Sequence, residues 1–380
     1  MHKILIVNND LNIGGIQKSL IEFLIHLVSL GHEIDLVLWQ KDGVLLDQVP
    51  SSVHIIDREY VNNWKNIVEE KFFFKKVQLF LDYLKFSFFA KIIKKPWLFF
   101  PKVKKYYNTA IAYSQNGYPL FYTIDNVSAD SKYLWYHHGS YDVAPETYKL
   151  DKKYYGKFDK LVTVSTANKQ MLLEHFPEYR DKFFVVPNII NVEKVILSST
   201  KKVLDFNKKE GVFNFVTVSR FSKEKGIDLA VEIATDLKKQ GLKFNWYFIG
   251  DGDTFLEIKK IIKQTDIEDV CILLGSKENP YPYMKLADLY IQTSYVESQS
   301  ITIYDALALK QLIVTTNLPA LNDALQQGEL GVLCSPEKKI FVEQIKNLLF
   351  DRSTRNKLTE SIDKHEVNNN KTYKAIEKLF

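Results

Sequence analysis

Residues 288–316 read Asp-Leu-Tyr-Ile-Gln-Thr-Ser-Tyr-Val-Glu-Ser-Gln-Ser-Ile-Thr-Ile-Tyr-Asp-Ala-Leu-Ala-Leu-Lys-Gln-Leu-Ile-Val-Thr-Thr. Leu289–Gln292 reads as a short buried strand, Ser298–Leu309 as a helix and Leu312–Thr315 as the next strand, which makes one β-α-β unit. Glu297 falls at the strand-to-helix turn, and Asp305 lies about two helical turns further on. That spacing puts one carboxylate at the helix start and the other along the same face. The helix start leaves backbone N–H groups open at Ser298, Gln299, Ser300 and Ile301, with the partial positive charge that suits a phosphate. Carboxylates for hydroxyls beside amides for phosphate suit a nucleotide-sugar.

The segment Ala287 to Ser294, Ala-Asp-Leu-Tyr-Ile-Gln-Thr-Ser, followed by Glu297 and seven residues later an acid, resembles the signature of GT-B retaining glycosyltransferases of the family 4 type. The family carries Glu at the second acidic position, where this chain has Asp305, one methylene shorter. The resemblance extends over most of the chain and is weakest between about residues 50 and 130. It implies an α/β fold of two doubly wound Rossmann-like domains facing a central cleft. It also implies that Glu297 holds donor-sugar hydroxyls, and that Asp305 takes the ribose.

The 380 residues and 46% hydrophobic content suffice for two cores. The two cysteines, Cys271 and Cys334, fall in predicted buried strands, which argues against a disulfide scaffold and for a reducing compartment. The first ten residues read as a strand, not as a signal peptide, and no run of roughly 18 apolar residues occurs. A cytoplasmic protein, peripheral at the inner face of the plasma membrane, is expected.

Lys3–Val7 reads as a strand, Asn8–Gly15 as a polar loop, Ile16–Leu30 as an amphipathic helix closed by Gly31, and Glu33–Leu38 as the next strand. This opening belongs to a doubly wound α/β domain. Gly14-Gly15 lacks the spacing of a dinucleotide fingerprint, but resembles the family's Gly-Gly loop that faces the donor. Downstream, Lys132–His137 is a strand running into Trp135-Tyr136-His137-His138-Gly139-Ser140-Tyr141, at the strand edge where α/β ligands bind. The family has a donor-facing His in such a stretch. The register admits His137 or His138, and the glycine that follows favours His138.

Between Lys71 and Lys105 stand ten lysines against one acid, Asp82, with eleven Phe, Tyr or Trp residues, so the stretch pairs rings with unneutralised positive charge. At helical spacing Phe73, Val77, Phe80, Leu81, Leu84 and Phe88 share the face expected to pack on the domain. Phe86 and Phe89 point the other way, beside Lys85 and Lys75, and form a second set with Lys75, Lys76, Lys94, Lys95, Trp97, Phe99 and Phe100. This second set is expected to face an anionic membrane, with rings at headgroup depth and each lysine contributing about 1 kcal/mol. No nucleic-acid module is readable, so nucleic acid is not an expected partner.

The second domain opens with the strand Phe213–Ser219 and the loop Arg220-Phe221-Ser222-Lys223-Glu224-Lys225-Gly226. Two cations five residues apart on one loop can converge on a diphosphate. The loop resembles the family's Arg-x4-Lys-Gly element, which gives Arg220 and Lys225 the diphosphate role, although Lys223 lies in the same loop. Gly250-Asp251-Gly252-Asp253 reads as turn chemistry after a strand and not as a metal site. Gly275 and Ser276 resemble the loop that lies on the nucleotide base.

The expected organisation is a Rossmann-like acceptor domain at 1–190, carrying the basic aromatic segment 71–107, and a nucleotide-sugar domain at 191–362. A last helix at 363–380 is expected to cross back. The expected activity is retaining transfer from a nucleotide-sugar to a lipid-linked or other glycan acceptor, in surface polysaccharide synthesis, with no cofactor and no metal. The alternatives are a nucleotide-sugar 2-epimerase of the same fold, or a non-catalytic membrane partner of a glycan-assembly complex.

Overall fold

The computed structural model describes residues 1–39, 43–57, 64–115 and 117–380. Its first sheet contains β1 (Lys3–Asn8), β2 (Glu33–Leu38), β3 (His54–Asp57), β4 (Tyr106–Ala112), β5 (Ser128–Tyr136), β6 (Lys160–Thr163) and β7 (Phe183–Val185) in the order β3-β2-β1-β4-β5-β6-β7. The second contains β8 (Phe213–Val218), β9 (Phe244–Ile249), β10 (Cys271–Gly275), β11 (Leu289–Gln292), β12 (Ile313–Thr316) and β13 (Val332–Cys334) in the order β10-β9-β8-β11-β12-β13. Strand pairs in both sheets are parallel. Parallel sheets are covered on both faces, so their strands are continuous apolar runs. Ile4, Leu5, Ile6 and Val7 are all fully buried, and two apolar clusters flank each sheet.

Strand order reverses between β1 and β4 in the first sheet and between β8 and β11 in the second. Ligands of open α/β sheets bind in the crevice at such reversals. The loops after β1, β8 and β11 carry Gly14-Gly15, Arg220–Lys225 and Glu297.

The chain crosses between the domains twice, near Ile190 and near Asn369, and the two crossings are tied together. The Asn369 side chain accepts from the Ile190 N–H at 2.9 Å and donates to the Ile190 carbonyl at 2.9 Å. Beyond it Ile376 of the helix Asn370–Glu377, and Leu379 just after the helix, enter the first domain's core, and Tyr133 donates to the Leu379 carbonyl.

The segment 71–107 departs from the sequence reading. The helix Phe73–Ser87 buries Phe86 alone among its residues. Phe86, Trp97 and Phe100, expected to face a membrane, lie in the first domain's core. Trp97 is 3% exposed, stacks on Phe121 at 4.2 Å and donates from Nε1 to Asp125. Phe99 and Phe89 are half-buried, and Phe99 packs edge-on against Phe86. The face expected to pack is the one turned outward: Phe73 is 72% exposed, and Val77, Leu81, Leu84 and Phe88 are exposed as well. The cause is the reversal at 88–99, where a π-turn and the Pro96–Phe99 turn fold the aromatics back onto the helix Tyr118–Asn126. Helical periodicity identifies two faces without saying which one the returning chain will cover. Lys75, Lys76 and Lys94 are exposed and Lys95 half-buried.

Candidate functional site

The helix after β11 begins at Ile301, three residues later than the sequence suggests. Residues 298–300 instead use their side chains across the cleft. Ser298 Oγ donates to the His137 carbonyl, and Gln299 Oε1 accepts from the Asn188 N–H at 2.7 Å. Both partners belong to the first domain, so the turn 298–300 is held by the domain opposite. Gly139 lies at the same crossing: a Cβ there would meet the Glu297 backbone at 2.5 Å.

Glu297 has a one-sided contact set. Its Oε1 accepts from Lys225 Nζ at 2.7 Å, from Gln292 Nε2 at 2.8 Å and from Ser294 Oγ at 2.8 Å. Three donors on Oε1 fix the rotamer and leave Oε2 without a protein donor. Gln292 is itself fixed: its Oε1 accepts from the hydroxyls of Tyr290, Ser300 and Thr302. Lys225 is carried by a loop that packs tightly against β11. Gly226 there has φ +60°, and a Cβ would meet the Thr293 carbonyl at 2.1 Å.

One cavity of about 430 Å³ gathers these residues. Gly14, Gly15, His138, Arg220, Lys225, Ser276, Glu297, Ser298, Gln299, Ser300, Ile301 and Asp305 all line it. Gly275 does not; its carbonyl accepts from the Gly250 N–H, which shapes the turn beneath Ser276. Lys223 is exposed and outside the cavity, whereas Glu224 lines it and pairs with Arg220 at 3.4 Å.

Both histidines line the cavity. Burial pushes His137 down to about 3, so it is neutral, and its Nε2 is buried without a hydrogen-bond partner. Burial also lowers His138, which lies within the fields of Glu224, Arg220 and Lys225. Asp305 is 3% exposed, and burial pushes its carboxyl up to about 7. Asp251 lines the cavity too, but among the described residues no group of three or more His, Cys, Asp or Glu is arranged to hold a metal.

Sequence reasoning missed Lys18, Glu224 and Gln292. Gln292 left a signal, a polar residue ending an otherwise apolar strand. Lys18 left none, because a lysine on an amphipathic helix reads as solvated.

Comparisons with known proteins bear on family and fold. Residues 13–194 match the model described as Glycosyltransferase Family 4, and residues 199–365 the model described as Glycosyl transferases group 1. An uncharacterised glycosyltransferase of Methanocaldococcus jannaschii is 23% identical over 51% of this chain and 52% of its own length. The N-acetylgalactosamine-N,N'-diacetylbacillosaminyl-diphospho-undecaprenol 4-alpha-N-acetylgalactosaminyltransferase of Campylobacter jejuni is 26% identical over 53% of each chain. Among solved structures, an S. aureus TarM mutant in complex with Fondaparinux, alpha-GlcNAc-glycerol and UDP superposes with a TM-score of 0.67 at 14% identity, covering 100% of this chain and 99% of that one. The chain spans about half the length, or less, of the curated relatives it matches.

Proposed function

This chain belongs to the GT-B glycosyltransferases of the family 4 type, and on that premise we propose that it moves a sugar from a nucleoside-diphosphate donor to a lipid-linked or other glycan acceptor, with retention and without a metal, in surface polysaccharide synthesis. The observation that carries the reading is the Lys225–Glu297 pair, at 2.7 Å inside one cavity with Arg220 and the open turn 298–301.

Breaking the anomeric C–O bond leaves negative charge on the diphosphate and oxocarbenium character on the sugar. Arg220 and Lys225 meet the phosphate charge together with the amides after Glu297. Oε2 of Glu297 accepts from sugar hydroxyls, and His138 and the neutral His137 line the sugar side. The acceptor hydroxyl attacks on the face the diphosphate leaves, and its proton passes to the departing phosphate oxygen. Three donors on Oε1 of Glu297 lower its nucleophilicity, which supports direct same-face transfer over a covalent intermediate.

The lipid-linked acceptor is supported by the outward face of the helix Phe73–Ser87. Phe73, Val77, Leu81 and Leu84 present rings and aliphatic chains beside the exposed Lys75, Lys76 and Lys85, which fits a peripheral hold on an anionic membrane. No helix among the described residues is long and apolar enough to cross a membrane.

A thermal-shift screen against nucleotide-sugars tests the donor, since a ligand of the native state raises apparent stability. Assay of the stabilising donor with lipid-linked acceptors, with the anomeric configuration of the product read by NMR, tests the transfer. Donor turnover with no acceptor would instead favour epimerisation.

A further inference from the structure

A second cavity, of about 230 Å³, opens between the helix Gly15–Ser29, the first interdomain crossing and the turn 278–281. It meets the donor cavity at three residues lining both: Lys18, Ile301 and Asp305. Lys18 comes from the first domain and Asp305 from the second.

Neither charge has a partner at this junction. Among the described residues the Asp305 carboxylate and the Lys18 ammonium form no side-chain hydrogen bond or ion pair, with each other or with any other group. Lys18 Nζ lies over the Tyr281 ring, 5.6 Å from its centroid. Each nonetheless lies in the other's field, and burial opposes the charge on both. An acid 3% exposed, with no donor of its own, beside an ammonium with no acceptor leaves two strong groups open to the same space.

The chemistry of that space is restrictive. Above pH 7, where Asp305 is ionised, its carboxylate accepts only and the ammonium donates only. A phosphate would satisfy Lys18 and be repelled by Asp305, and a base carbonyl would satisfy Lys18 alone. An alcohol satisfies both, donating to Asp305 while accepting from Lys18.

We propose that Lys18 is a second ribose-binding residue, supplied by the first domain, which shares a ribose hydroxyl of the donor nucleotide with Asp305. The proposal rests on the nucleotide-donor reading above. It accounts for the shorter acid: the hydroxyl is drawn into the gap by the facing ammonium instead of being reached by a longer side chain. The nucleoside is then read from both domains, so occupancy of the ribose pocket favours a closed cleft.

The test is calorimetric binding of uridine, guanosine and adenosine diphosphates and of their 2′-deoxy and 3′-deoxy counterparts to wild type, Lys18→Met and Lys18→Arg. Wild type should prefer one ribonucleotide over a deoxy form by about tenfold or more, as for loss of a charge-assisted hydrogen bond. In Lys18→Met this preference should fall towards unity, and in Lys18→Arg most of it should remain. Lost attraction for the diphosphate weakens ribo and deoxy ligands alike, so the ratio isolates the hydroxyl contact. An unchanged ratio in Lys18→Met overturns the proposal while leaving the donor reading intact. Failure of wild type to bind any of the diphosphates overturns both. Should Lys18→Met lose its native circular dichroism, Lys18→Gln gives the same ratio with a neutral polar side chain.

Discussion

Lys225 Nζ lies 2.7 Å from Oε1 of Glu297, and the other two donors to that carboxylate, Gln292 and Ser294, bind the same oxygen. The pair divides its labour by atom. Oε1 is taken up by the protein's own donors, while Oε2 accepts from none of them, in a side chain that lines the cavity with Lys225.

Glu297→Gln should therefore fold normally, with its amide oxygen in the place of Oε1, and lose the acceptor offered to the sugar. Turnover should fall about 10- to 100-fold, the value of one charged hydrogen bond. Glu297→Ala should abolish it. Full turnover by Glu297→Ala, measured as nucleoside-diphosphate release with acceptor present, would remove the central assignment.

Lys225→Ala leaves Glu297, with 7% side-chain exposure, without its counter-charge. Because Lys225 is itself 22% exposed, the stability cost is the discounted one, about 1–3 kcal/mol in a urea melt. Activity should be lost well beyond what that destabilisation explains.

Asp305 should give the protein a pH-dependent weakness. Its folded value of about 7 lies above its ordinary 3.8, so between these values the folded state retains a proton that the unfolded chain releases. Stability contributed by the protonated form is complete below about pH 4 and is lost as pH rises through 7. Asp305→Asn should raise Tm at pH 8 more than at pH 5 in the ligand-free protein. An equal difference at both pH values would show that the carboxyl titrates normally.

Gly139→Ala would drive a methyl group into the Glu297 backbone, at 2.5 Å. Backbone cannot move aside as a flexible side chain does, so the two domains should be held slightly apart. We expect a loss of about 1–3 kcal/mol from the donor-bound state, read as raised donor KM with smaller change in the Tm of the free protein.

Replacing Phe73 and Leu84 together by Ser should reduce flotation with vesicles containing anionic lipid, while activity on a water-soluble acceptor analogue persists. Replacing the buried Trp97 should instead lower Tm by several degrees, as for loss of a core aromatic. Undiminished flotation of the Phe73/Leu84 double variant would remove this helix from membrane binding.

The second domain was the more legible half in sequence. Arg220, Lys225 and Glu297 lie on loops directly after apolar strands, so spacing along the chain already says which crevice they enter. The first domain hid more. The stretch 71–107 has two apolar faces, and only the turn at 88–99 decides that Trp97 and Phe100 go inward while Phe73 stays outside. The late start of the helix at Ile301 depends on His137 and Asn188, more than 100 residues away, which engage the side chains of Ser298 and Gln299. Lys18 was invisible for the same reason: its neighbour Asp305 lies on the other domain.

The paired crossings at Ile190 and Asn369 have a mechanical corollary. Two lengths of backbone riveted by one amide resist torsion about the long axis far better than a lone thread does. Any rotation of one lobe against the other therefore loads both crossings at once, and Lys18 and Asp305, which line the same cavity as Ile190, sit close to that tie.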